Sequence, residues 1–385
     1  MKNSKDYGFI RGFCYGWEKD PQRWEIELGY AQRLNLNSAR IWLRYPHYFE
    51  DPDAFVSKLR SFIRSAFSKG ITVMPILFNG NMIDFTIVED SWWEIGDKYA
   101  KHIVDSIKDE EGLIMWDIMN EPTCNDYILW AKDKETADKN SIKMWRFLEH
   151  YCDLVKLLDS ITPITIGHTL ANELQPTADY VDVLSFHEYS DTTAKIIKNY
   201  DIAQDVSKTT GKPVINSELC CLCRGNPYDV ALKICQEREL GWYLFELMID
   251  GYWGEVHGLF YPDGTIRDPA SIAAVMGFFR NLNPKTRVKA RANKEGNVEK
   301  ALALVNEALK DDTSIFSHKD NDLENVLDAA ERCIMYLEGC ELVSMHEPPS
   351  VQLRRYREQE NPNLEEVRAW TYDLAMKLKK LCHIL

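Results

Sequence analysis

Over its first 285 residues the chain repeats one pattern: a short apolar run, then a longer stretch with apolar residues every three or four positions. Eight runs stand out, at residues 8–16, 38–45, 72–79, 113–120, 164–169, 181–189, 213–219 and 241–248. Short, nearly continuous apolar runs suit strands buried on both faces, which is the condition of a parallel sheet. The intervening stretches carry helical faces, marked by Trp24, Leu28, Ala31 and Leu34, then by Phe55, Leu59, Phe62, Ile63 and Ala66. Trp145, Leu148, Cys152, Val155 and Leu158 form another, and Ala273, Met276 and Phe279 close the series. Eight strands alternating with eight helices over about 280 residues predict an α/β fold, a (β/α)8 TIM barrel. The rival, an open doubly wound sheet, usually carries a glycine-rich phosphate turn after its first strand. GFCYGWEKDP (12–21) has no such pattern.

The character changes after Pro284. KTRVKARANKEGN (285–297) is basic and polar and reads as a linker. The expected division is a barrel over 1–285 and a helical region over 286–385. One helix would carry Leu302, Val305 and Leu309, and a second Leu323, Leu327, Ala330, Ile334 and Leu337. A third would carry Val367, Trp370, Leu374, Leu378 and Leu381, with PPS (348–350) and NPN (361–363) as punctuation. This appendage is expected to pack on the barrel or on a partner chain, so a homo-oligomer through the C-terminal helices is one expectation.

A net charge of −14 argues against nucleic acid, which calls for a basic face, and against anionic lipid. No apolar stretch is long enough to span a membrane. MKNSKDYGFIRGF at the start has no apolar core of a secretory signal, so a cytoplasmic location with free thiols is expected; a trimmed chain would look the same. Cys220, Cys221 and Cys223 lack a matching His/Cys pair nearby, and packing is preferred to metal binding.

In such a barrel the functional face lies at the C-terminal ends of the strands. Polar residues there are Arg40 on the second run, Asn120 and Glu121 on the fourth, His187 and Tyr189 on the sixth and Glu218 on the seventh. Glu121 and Glu218 would face each other across the barrel mouth. Two carboxylates flanking one bond are what glycoside hydrolysis needs, one protonated and one ionised.

The segments around these residues, NLNSARIWL (35–43), LIMWDIMNEP (113–122), LSFHEY (184–189) and PVINSEL (213–219), resemble four strand motifs of clan A glycoside hydrolases, especially family 5, in the same order. The resemblance spans most of residues 8–282 and implies cellulase- or mannanase-like retaining hydrolysis of a β-linked oligosaccharide. It implies Glu121 as general acid/base and Glu218 as nucleophile. Asn120 would bind the sugar 2-hydroxyl, Arg40 and Tyr189 would contact the nucleophile, and His187 would line the subsite and orient the acid/base. No cofactor or metal is required. Two departures leave the sugar open. The third strand ends in Phe78 and Asn79 where family 5 commonly has a histidine, and Phe245 stands where a stacking tryptophan is expected, with Trp253 as a substitute. Trp17, after the first strand, is a further subsite candidate. Other readings of the same site are a transglycosylase using the same covalent step, and a non-catalytic carbohydrate-binding barrel, against which the presence of both glutamates argues.

Overall fold

The structure is a computed structural model that describes residues 7–279 except 82, residues 349–382, and positions 323, 326, 327, 329–331, 333 and 334. The chain divides into two compact units, Met1–Phe279 and Arg280–Leu385.

The first unit is a closed barrel of eight parallel strands in sequence order, with β1 pairing β8. The strands are β1 Arg11–Cys14, β2 Ser38–Trp42, β3 Thr72–Asn79, β4 Trp116–Asn120, β5 Ile164–His168, β6 Leu184–Glu188, β7 Val214–Leu219 and β8 Gly241–Leu244. Each lies within its predicted run. Around them run α1 Pro21–Arg33, α2 Tyr45–Glu50, α3 Pro52–Ser68, α4 Trp93–Ile107, α5 Asp126–Leu129 and α6 Lys134–Leu158. There follow α7 Thr193–Thr210, α8 Tyr228–Glu237, α9 Gly251–His257 and α10 Pro269–Val275.

Three helices start the same way. Asp20, Asp51 and Asp268 cap α1, α3 and α10 by accepting backbone N–H bonds, each followed by proline at the first helical position. The cap satisfies a donor the helix leaves open, and proline loses nothing there.

Strand side chains alternate between two cores. Phe13, Ala39, Ile41, Val73, Trp116 and Ile118 pack outward against the helices. Ile10, Cys14, Met74, Met115, Val183, Ile215 and Tyr243 form a smaller cluster inside the barrel. Gly12 lies under Tyr243, where a Cβ would come within 2.1 Å of the ring.

Three expectations need correction. The connection from β5 to β6 holds two 3-10 turns, Ala171–Glu173 and Gln175–Thr177, in place of an α-helix. The buried face of α6 is Met144, Phe147, Leu148, Tyr151, Cys152 and Val155, with Trp145 and Leu158 only partly buried beside it. On α10 the buried residues are Ser271, Ile272, Ala274 and Val275, while Met276 is 48% exposed; a helix this short leaves little periodicity to read.

In the second unit, α11 Pro349–Glu358 and α12 Leu364–Cys382 are described. PPS therefore opens a helix as well as marking a break. Val326, Leu327, Ala330, Cys333 and Ile334 pack with Leu353, Tyr356, Val367 and Leu374 in a separate core. Leu302, Val305, Leu309 and Leu337 lie outside the described residues.

Candidate active site

Arg40 organises the mouth of the barrel. It is fully buried on β2. Its Nε and one terminal nitrogen donate to Asp117 Oδ2 at 2.9 and 2.7 Å. That same terminal nitrogen reaches Asn120 Oδ1 at 2.8 Å, and the other reaches Glu218 Oε1 at 2.6 Å. A buried guanidinium is tolerable only with its charge matched and its donors used; here both conditions hold. Asp117 also accepts the Gly167 N–H at 3.1 Å. Gly167 has no room for more, since a Cβ there would come within 2.5 Å of the Arg40 guanidinium.

Glu218, near the end of β7, has its second oxygen engaged as well. The Tyr189 hydroxyl donates to Oε2 at 2.9 Å, and His187 Nδ1 lies 3.4 Å from it. Burial, with the charge of Glu218 beside it, holds the Tyr189 phenol well above its usual range, so it stays a donor.

Glu121 follows β4 directly, with φ 47°, in the left-handed region that side chains rarely adopt. Its N–H donates to Gly167 O at 2.7 Å. Gly80 passes alongside so closely that a Cβ would lie 2.3 Å from Glu121 O. The carboxylate accepts from His187 Nδ1 at 2.9 Å and from Asn81 Nδ2 at 3.4 Å. Burial pushes the Glu121 carboxyl up, but His187, Arg40 and Asn81 outweigh it and hold the carboxyl below its ordinary value. Asn120 is held at both ends: besides accepting from Arg40, it donates to Asn79 Oδ1 at 2.9 Å, and Asn79 in turn donates to Asn81 O at 2.8 Å.

Glu121, His187 and Glu218 each offer an atom within 4.8 Å of the others. The two predicted carboxylates therefore meet, from strands four and seven. A cluster of this kind can also hold a metal ion.

One wall of the mouth is aromatic. Phe245, directly after β8, meets Trp42 edge-on at 5.6 Å and His257 at 4.7 Å. His257 also meets Tyr189 at 5.6 Å, and burial pushes its pKa down to about 4. Trp253, on α9, lies 6.4 Å from Phe245 and is 44% exposed. Trp17 needs correction. It is 1% exposed, its indole donates to Trp42 O, and it packs on Phe55 and Phe62. An indole enclosed on all sides braces the helices and offers no platform.

Two charged residues went unread in the sequence, Asp117 and Glu246. Asp117 sits inside an apolar run, and only the need of a buried Arg40 for an acid could have exposed it. Trp42, also on β2, has the Arg40 guanidinium 5.1 Å from its ring. Glu246 follows Phe245. Burial pushes it up to about 8, opposed by Lys19 and reinforced by the charge of Glu218. Glu188 accepts from Ser190 N and Asn199 and holds the loop after β6. Cys220 and Cys221 are buried at the end of β7.

No protein-family model matches the sequence, and no curated protein does. Solved structures do match in fold. An exo-β-1,4-mannosidase from Opitutaceae bacterium strain TAV5 aligns with a TM-score of 0.55 at 15% identity, covering 71% of this chain and 60% of that one. The chain thus spans less than two thirds of that mannosidase. An endo-β-1,4-mannanase from Thermotoga petrophila gives 0.56 at 14%, covering 72% and 77%. The endoglucanase Cel5A from Pseudomonas stutzeri gives 0.56 at 13%, covering 74% and 98%. At such identities the likeness is one of fold. Solved structures that share the fold of this eight-stranded barrel include endo-β-1,4-mannanases, an endoglucanase, a β-glucuronidase and a β-galactosidase.

Proposed function

We propose that the chain hydrolyses a β-glycosidic bond of an oligosaccharide with retention of configuration. The observation that carries this reading is the convergence of Glu121 and Glu218 through His187, with an atom of each within 4.8 Å of the others. Retaining enzymes set their carboxyl groups about 5–5.5 Å apart, whereas inverting ones leave about 6.5–9.5 Å for a water. The surroundings support a division of labour. Glu218 faces a guanidinium and a phenol, both donors, and is placed to attack the anomeric carbon. As that bond forms, the glycosidic C–O bond breaks, and its electron pair leaves on the oxygen that takes a proton from Glu121. Water then attacks the anomeric carbon and gives its proton to Glu121, and the ester bond breaks back onto Glu218.

In the free site Glu121 favours its ionised form. A carboxylate loses more than a carboxylic acid when water is expelled around it, so substrate binding would raise the Glu121 carboxyl and arm the acid. Trp42, Phe245 and Trp253 supply apolar faces for the sugar ring, and Asn120, oriented at both ends, is suited to a ring hydroxyl.

Incubation with a panel of 2-deoxy-2-fluoro β-glycosides, followed by mass spectrometry, tests the reading. A sugar ester on Glu218 is expected; an ester elsewhere, or none from any sugar, overturns it. Transglycosylation is the second reading, because the covalent step is the same. Release of longer oligosaccharides at high substrate concentration would favour it.

A further inference from the structure

Resting on that reading, we propose that Arg224 recognises an anionic group, a carboxylate or a phosphate, on the sugar substrate. Arg224 lies in the loop after β7, with its guanidinium carbon 4.8 Å from the centre of the Tyr189 ring. Tyr189 is the phenol that donates to Glu218. The contact between Arg224 and Tyr189 places an exposed cation beside the phenol that holds Glu218.

Arg23, Arg60, Arg64, Arg146 and Arg238 each sit on a carboxylate, and Arg11, Arg33 and Arg267 donate to backbone carbonyls. Among the described residues the Arg224 side chain meets neither a carboxylate nor any hydrogen-bond acceptor. With 60 acidic residues against 46 basic ones, the chain has acids enough to pair it. Its guanidinium lies over the Tyr189 ring, and N–H groups without an acceptor offer the fork that fits a carboxylate or phosphate.

The loop is built to hold it. Gly225, at φ 67°, donates to Leu222 O at 3.1 Å and closes a tight turn. Asn226 N donates to Cys221 O at 3.1 Å, and its side chain accepts from Cys220 N at 2.9 Å and donates to Ser190 O at 2.7 Å. A donor fork fixed in advance loses little freedom when it binds.

The test titrates the full chain with glucuronate, galacturonate, mannuronate and glucose 6-phosphate, each beside its neutral sugar, by calorimetry. Wild-type protein is expected to bind at least one anion about tenfold more tightly than its neutral partner, with the margin shrinking as salt rises. Arg224→Ala should erase the margin; Arg224→Lys, which keeps charge but loses the fork, should keep part of it. Preference for uronates alone assigns the group to a carboxylate, and preference for the sugar phosphate alone to a phosphate. Equal binding of neutral and anionic sugars, no binding of any anion, or an undiminished margin in folded Arg224→Ala each overturns the inference. Labelling of Glu218 by a neutral fluoro-glycoside without any anion preference sinks this inference and leaves the glycosidase reading standing. Anion preference lost in Arg224→Ala, without labelling by any glycoside, does the reverse.

Discussion

The bond from His187 to Glu121 ties the working pH of the site to one neighbour. His187 is the foremost of the groups that lower the Glu121 carboxyl against the upward pull of burial. Replacing it by Asn removes that pull. Glu121 should then hold its proton to higher pH, and the alkaline limb of the kcat/KM profile should move upward. An unmoved limb would mean that the group titrating there is not Glu121. Glu246 gives a second pH effect, on stability. Its folded value of about 8 lies above its ordinary value of 4.5, so from about pH 4.5 to 8 the unfolded chain releases a proton that the folded chain keeps. Stability contributed by this group therefore falls as pH rises through that window. Glu246→Gln should flatten the decline in melting temperature between pH 5 and 8.5; parallel curves would exclude the effect. At this scale the sequence was legible where chemistry coincides with a strand end. Asn120, Glu121, His187, Tyr189 and Glu218 all stand there, and Arg40 reaches Glu218 from within β2. Asp117 and Glu246 were hidden because each matters only through a charge that approaches from another strand.

At the scale of elements, two glycines bring the strand ends together. A Cβ on Gly80 would meet the backbone oxygen of Glu121 at 2.3 Å, and backbone cannot swing aside as a long side chain can. Gly80→Ala should lower stability by about 1–3 kcal/mol and reduce activity further, because Glu121 must move. Melting curves and kcat measured together would separate the two losses. Activity unchanged in a folded variant would show that the Glu121 backbone is not tied to this turn. The runs that became strands were readable because burial on both faces leaves an apolar signature in the chain itself. The Asp-Pro helix starts at Asp20, Asp51 and Asp268 are equally local. The 3-10 turns after β5 were not readable, because Ala171–Glu173 and Gln175–Thr177 are too short to show a period. Trp17 misled for a related reason: a loop position says nothing about which neighbours enclose it.

On the scale of the whole molecule, the cores of the two units, among the described residues, share no member. A chain ended at Phe279 should therefore fold and still be labelled at Glu218 by the fluoro-glycoside that labels the full chain. Insoluble or unlabelled product from that fragment would show that the second unit is needed for the first. The barrel closes only when β8 pairs β1. Arg40 meets Asp117 77 positions further along the chain but Glu218 only 178 positions along, and Phe245 and Glu246 come later still. Contacts so distant in sequence form late and together. A ribosome building this protein thus carries an arginine and a first glutamate long before the second carboxylate and the aromatic wall exist to complete their site. The whole site comes into being at one moment, when the last strand is long enough to complete the ring.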